Sequence, residues 1–110
     1  MIPDSNKYAY RVQWSEEDGQ YVGTALEFPF LSWLDDTPSA ALNGIQHTVS
    51  EAIQLLQEDG EEIPQPFSER KYSGRFTVRI TPATHRRLAM EAQEQHVSFN
   101  RLVSDKLSAA

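Results

Sequence analysis

Apolar and polar residues alternate from Lys7 to Trp14, with Tyr8, Tyr10, Val12 and Trp14 on one face, which predicts a half-buried strand. Glu16-Glu17-Asp18-Gly19 makes a turn in which the glycine is free to take a positive φ. A second strand follows from Tyr21 to Glu27, with Val22, Thr24 and Leu26 on one side. Gly23 within it marks either a weak point or a close approach of backbone. Phe28-Pro29-Phe30 interrupts the pattern, and Leu31 to Leu34 reads as a short third strand. At Asp36-Thr37-Pro38 the period changes: Thr37 is placed to cap a helix and Pro38 to fill its first position. Leu42, Ile45, Val49, Ala52, Ile53 and Leu56 then recur at spacings of three and four, forming one apolar stripe. Asp59-Gly60 ends the helix. The prolines of Glu61-Glu62-Ile63-Pro64-Gln65-Pro66-Phe67 exclude regular helix and give an extended segment with a fixed path, either a linker or one more strand.

A second pattern begins at Gly74. Arg75-Phe76-Thr77-Val78-Arg79-Ile80-Thr81 alternates without a fault, and Thr81-Pro82 opens a helix whose narrow apolar face is Leu88, Ala89 and Ala92. His96-Val97 breaks it. Ser98 caps a last helix with Phe99, Leu102, Val103 and Leu107 as its stripe. The fold class is therefore α+β. A β-β-β-α unit, or β-β-β-α-β where residues 61–67 add one more strand, spans residues 1–67; residues 68–73 are a linker; a β-α-α unit spans residues 74–110.

Charge sharpens this division. Residues 1–69 hold two basic side chains, Lys7 and Arg11, against thirteen acidic ones, a net of −11; residues 70–110 hold eight basic against three acidic, a net of +5. A polyanion is repelled by the first part and attracted by the second. The rest of the composition excludes more than it selects. There is no cysteine for a disulfide or a thiolate metal site, and no run near the roughly 18 apolar residues of a membrane span. Met1-Ile2-Pro3-Asp4-Ser5 lacks the basic start and apolar run of a signal peptide, so a cytoplasmic protein is the simplest expectation.

The last unit poses a physical problem that suggests its own answer. A lone strand leaves N–H and C=O groups unpaired on both edges. Two helices with narrow stripes cannot enclose a core in so few residues. Both difficulties vanish if two copies pair their strands antiparallel, with Phe76, Val78 and Ile80 turned inward onto Leu88, Leu102 and Val103. The outward face of such a ribbon shows Arg75, Thr77 and Arg79, suited to base edges in the major groove of DNA. Ser98, Phe99, Asn100 and Arg101, at the start of the last helix, are placed to hold a phosphate. Arg86 and Arg87 either add backbone contacts or are ordinary helix surface.

The run Gly74 to Pro82, then His85-Arg86-Arg87-Leu88-Ala89 and Val97-Ser98-Phe99-Asn100, resembles the ribbon-helix-helix repressors. The resemblance implies base reading by Arg75, Thr77 and Arg79, and a phosphate clamp at Ser98 to Asn100. Residues 7–67 are similar to the HicB-type antitoxins. The similarity is carried by Tyr8 to Trp14, Glu17-Asp18-Gly19-Gln20-Tyr21-Val22-Gly23, Glu27-Phe28-Pro29, the Thr37-capped helix and Gly60 to Pro66. It implies a partial ribonuclease-H-like unit without catalysis that masks a small basic HicA-type toxin, while the tail binds operator DNA as a homodimer or a tetramer. After Pro29 the chain departs from the small-residue turn of many relatives and runs Phe30-Leu31-Ser32-Trp33-Leu34. Phe30 and Trp33 are either toxin anchors or core, and Asp35 and Asp36 are candidate partners for a basic toxin.

Enzyme readings fare worse. Two-metal chemistry needs carboxylates converging from strands, and Glu27 is the only acid within the expected strands. His47, His85 and His96 stand apart, and no glycine-rich phosphate loop exists. The expectation is a non-enzyme without cofactors. A stand-alone ribbon-helix-helix regulator with an acidic sensing unit is the second reading, and a nuclease depending on Glu27 the third.

Overall fold

The computed structural model describes residues 2–109. It is α+β, with one three-stranded antiparallel sheet and three α-helices: β1 (Tyr10–Ser15), β2 (Gln20–Ala25), β3 (Ser32–Asp35), α1 (Pro38–Glu58), α2 (Pro82–Glu94) and α3 (Phe99–Ser108). These fall into two compact units, Met1–Tyr72 and Ser73–Ala110. No helix among the described residues is long and apolar enough to cross a membrane.

In the first unit β2 is central, with Val12 opposite Gly23 and Gly23 opposite Trp33. Strand alternation sorts side chains to two faces. Tyr10, Val12, Gly23, Ala25 and Trp33 share the face that α1 covers. Gly23 is the close approach its sequence position allowed: a Cβ there would lie 2.6 Å from the Ala41 carbonyl oxygen of α1. Gly44 plays the reciprocal part, since a Cβ on it would collide with the Trp33 ring. Two glycines thus let helix and sheet meet. The core is Tyr8, Ala25, Phe28, Ile45, Val49 and Ile53, with Ile45 and Val49 wholly enclosed. Burying each of those two side chains stabilises the unit by about 1.5–3 kcal/mol. Tyr8 and Phe28 meet edge to face at 5.1 Å.

Two expectations change. β2 stops at Ala25, because Leu26 and Glu27 turn; one further bond, Leu26 N to Ala9 O at 2.9 Å, extends the pairing. The fourth strand expected after α1 is not formed among the described residues. Pro64 and Pro66 have no N–H to give a ladder, and side chains hold the segment instead. The Tyr8 hydroxyl donates to the Pro64 carbonyl at 2.7 Å, and the Ser68 hydroxyl to the Lys7 carbonyl at 3.0 Å. Arg70 donates through Nε to the Gln65 carbonyl and lies 3.8 Å over the Phe67 ring. Residues 67–72 are therefore tied to the first unit.

The second unit is less closed. Thr81 caps α2 by accepting from Thr84 N at 3.2 Å, and Ser98 caps α3 by accepting from Arg101 N at 3.0 Å. Between them His96 takes a left-handed φ of 56°. Val97 N donates to Ala92 O and His96 N to Gln93 O, the paired bonds of a Schellman turn. Ala92 and Leu102 are its buried apolar residues. Residues 75–81, expected as a strand, have no ladder in the single chain. A strand is defined by a neighbour, and here none is present to accept its N–H groups.

Candidate functional site

In the second unit, every residue from Ser73 to Pro82 is exposed, including Arg75, Thr77 and Arg79. Exposure of the alternate positions is the informative fact. Phe76 is 72% and Val78 62% exposed, with Ile80 also open. Apolar side chains of this size alternating along an open segment leave roughly 1.5–3 kcal/mol each unrealised. They are not scattered. Phe76, Val78 and Ile80 line one groove of about 760 Å³ together with Leu88, Phe99, Val103 and Leu107. Arg75 and Asn100 also border it. The structure thus gathers the strand's apolar set and the stripes of both helices around one open, largely apolar hollow. Of the residues expected in a shared core, Leu102 is already buried within the single unit, while Leu88 and Val103 are half-buried. Ala89, read as part of the α2 stripe, points to solvent instead.

The start of α3 has the geometry of an anion seat, with some of its capacity taken. Ser98 Oγ accepts from Arg101 N, and the Phe99 and Asn100 amides are left without helical acceptors by their position in the first turn. The Arg101 side chain reaches Asp105 at 3.3 Å in an exposed i,i+4 pair, which contributes little and yields readily to a stronger anion. Lys106 pairs with Glu91 at 3.2 Å, linking α3 to α2. Arg86 and Arg87 are exposed on α2. The His85 ring lies 5.1 Å from Phe99, beside this helix start.

The four residues singled out in the acidic unit lie on β3 and its two flanks. Phe30 is 98% exposed at the turn before β3. Trp33 is 40% exposed, rests on Gly44 of α1, and donates from Nε1 to Asp35 at 3.1 Å. That bond, with one from the Asp36 amide, holds the Asp35 carboxyl below the usual carboxylate range. Asp36 accepts from the Gln20 amide at 3.0 Å. Hydrogen bonds therefore link Trp33 to Asp35 and Asp35 to Asp36, near the hairpin end of the sheet, while Phe30 lies in the turn before β3.

Glu27 has a role that sequence reasoning missed. It is 7% exposed, and its carboxylate accepts from Ala9 N at 3.0 and 3.2 Å and from Phe67 N at 3.0 Å. It joins the approach to β1, the end of β2 and the segment after Pro66. The signal available was an acid flanked by Leu26 and Phe28: a buried carboxylate demands donors. Nearby, burial and then the Glu27 charge push the Tyr10 phenol up to about 12.

A family model described as the HicB family matches residues 57–107, from the last turn of α1 to the last turn of α3, and supports a HicB-type protein. No curated protein matches the chain. No solved structure matches it either.

Proposed function

We propose that this HicB-type chain is a cytoplasmic, non-catalytic antitoxin: its acidic unit binds a small basic HicA-type toxin, and its second unit represses the operon as a paired ribbon-helix-helix. One observation carries the proposal. Phe76, Val78 and Ile80 line a single open groove with the apolar stripes of α2 and α3, while Thr77 and Arg79 alternate with them. A second copy laid antiparallel along residues 75–81 fills the groove and supplies the missing ladder. It also leaves an arginine- and threonine-bearing ridge on the far side. Arg79 and Arg75 then meet guanine edges, Thr77 meets base edges or a thymine methyl, and the Phe99 and Asn100 amides meet phosphate.

The acidic unit is read as the toxin-binding half, a partial ribonuclease-H-like domain. Its net charge of −11 over residues 1–69 favours a basic partner and repels nucleic acid. Phe30, with almost all of its surface in solvent, is the anchor best supported, and Asp36 and the ionised Asp35 supply charge at the hairpin end. The non-catalytic reading draws support from Glu27. The acid considered for metal chemistry lies in the turn after β2 and spends both oxygens on backbone amides.

The decisive test is a gel shift on the DNA upstream of this gene. Arg79→Ala is expected to cost about 1–3 kcal/mol per contact, acting twice in a symmetric dimer. Binding by the unaltered protein should fall steeply with added salt. Unchanged affinity in Arg79→Ala removes the assigned reading face. For the toxin half, co-expression with the adjacent reading frame should give a complex with a small basic protein. Purification of this chain alone from such cells favours the stand-alone regulator.

A further inference from the structure

The sheet of the first unit has two edges, and they are unlike. The bonds between β1 and β2 fix which backbone groups point where. Leu26 N donates to Ala9 O at 2.9 Å, so the bonded pairs recur at every second residue, at Arg11–Thr24, Gln13–Val22 and Ser15–Gln20. Tyr21 and Gly23 therefore turn their N–H and C=O groups the other way, to Asp35 and Trp33 of β3. That leaves the N–H and C=O groups of Ser32 and Leu34 directed away from the sheet. Neither amide enters a turn, cap or side-chain hydrogen bond among the described residues, and no strand there lies beyond β3.

An open edge accepts another strand, and sheets guard against this with basic side chains, prolines or bulges. β1, the other edge, carries Arg11. β3 reads Ser32-Trp33-Leu34-Asp35, without lysine, arginine or proline, and its register with β2 runs on without a bulge. Its side chains alternate, so Trp33 lies on the α1 side and Leu34, 41% exposed, on the open face. A strand laid beside it finds apolar surface on both faces, with the solvent-exposed Phe30 just before β3. Charge selects what that strand carries. Asp35 and Asp36 stand at the end of β3, and the only basic residue on the sheet is Arg11, two strands away. At the usual strand spacing that is about 10 Å.

We propose that an extended, lysine- or arginine-bearing segment of the basic partner joins this sheet as a fourth strand alongside β3. Ser32 and Leu34 exchange main-chain bonds with it, its basic residues meet Asp35 and Asp36, and Phe30 packs on its other end. The inference rests on the reading of the first unit as the toxin-binding half, and adds to it the edge that is used and the form the partner's segment takes. Main-chain bonds in such a contact supply affinity, while the flanking side chains choose the sequence that fits.

Hydrogen exchange on the full chain, alone and co-purified with the basic protein encoded by the adjacent reading frame, tests this. Alone, the Ser32 and Leu34 amides are expected to exchange fast and the Trp33 amide slowly; in the complex all three should be slow. Ser32→Pro removes one outward N–H at the first residue of an edge strand, where proline is tolerated. It should weaken the complex about tenfold or more, with the tryptophan-fluorescence melt unchanged, whereas Ser32→Ala, which keeps the N–H, should bind as the unaltered chain does. A complex in which the Ser32 and Leu34 amides still exchange fast overturns the edge pairing and leaves the toxin-binding reading standing, whatever the fate of Ser32→Pro. Slow exchange of both amides in the chain alone means that the edge is already occupied, and overturns the proposal as well. A chain that takes up no basic protein removes both this contact and the toxin-binding reading.

Discussion

The two units solve the same problem with opposite means. The first folds a helix onto its own sheet and encloses Ile45 and Val49 completely, with Gly23 and Gly44 cut back so that backbone and Trp33 fit. The second has two well-capped helices and an alternating segment, yet keeps Phe76, Val78 and Ile80 in solvent around an open groove. Local design is equally good in both; Thr37, Thr81 and Ser98 all cap as their side chains allow. Closure separates them. A unit that supplies its own second layer is closed in one copy, whereas one that supplies only half a sheet is expected to borrow the other half, as proposed above.

The contrast is broken most sharply at Val78. In a single copy this residue is already largely open, so Val78→Asp should do nothing. In the paired ribbon it buries an unpaired carboxylate, a cost of several kcal/mol or more that abolishes pairing. We expect loss of the dimer and of helical circular dichroism from α2 and α3. Both tryptophans and all four tyrosines lie before Ser73. Tryptophan fluorescence therefore follows the first unit alone, and its melting should survive the change. A folded Val78→Asp dimer would mean that the strand's faces are reversed. Ile45→Ala is the mirror experiment. It empties a closed core at a cost of about 2–5 kcal/mol and should lower the fluorescence-detected melt.

A smaller effect sharpens the boundary between the units. Glu27→Ala leaves the amides of Ala9 and Phe67 without their acceptor, at about 1–3 kcal/mol for each one kept from water. Hydrogen exchange at Phe67 should accelerate, and protease should cut between residues 64 and 72. Protection unchanged at Phe67 would show that the Tyr8, Ser68 and Arg70 contacts hold this segment by themselves.

Much of this was legible because it is local. The α1 stripe, the three caps, the hairpin turn and the alternation at 75–81 follow from spacing and side-chain chemistry within a few residues. What was not legible depends on distant partners. Trp33 reads as anchor or core until Gly44, eleven positions on, is seen to receive it. Glu27 reads as a loose acid until Ala9 and Phe67 converge on it. The missing fourth strand is the same lesson reversed. An extended segment was foreseen, but whether it pairs depends on donors, and Pro64 and Pro66 have none.

The smallest test compares the two helix ends that use one turn with different residues. α1 closes with Gly60 at φ 68°, its amide donating to Gln57 O and that of Glu61 to Leu56 O. α2 closes with the same bonds around His96 at φ 56°. A side chain in that conformation costs roughly 1–2 kcal/mol that glycine avoids. Against this, glycine is freer in the unfolded chain by about 0.5–1 kcal/mol. His96→Gly should therefore stabilise the second unit slightly, by no more than about 1.5 kcal/mol, and the helical signal of the paired form should persist to higher denaturant. A loss of stability instead would mean that the His96 ring makes contacts in the paired form that outweigh its backbone strain. The sign of so small a change then reports whether the α2–α3 turn lies at the pairing surface or away from it.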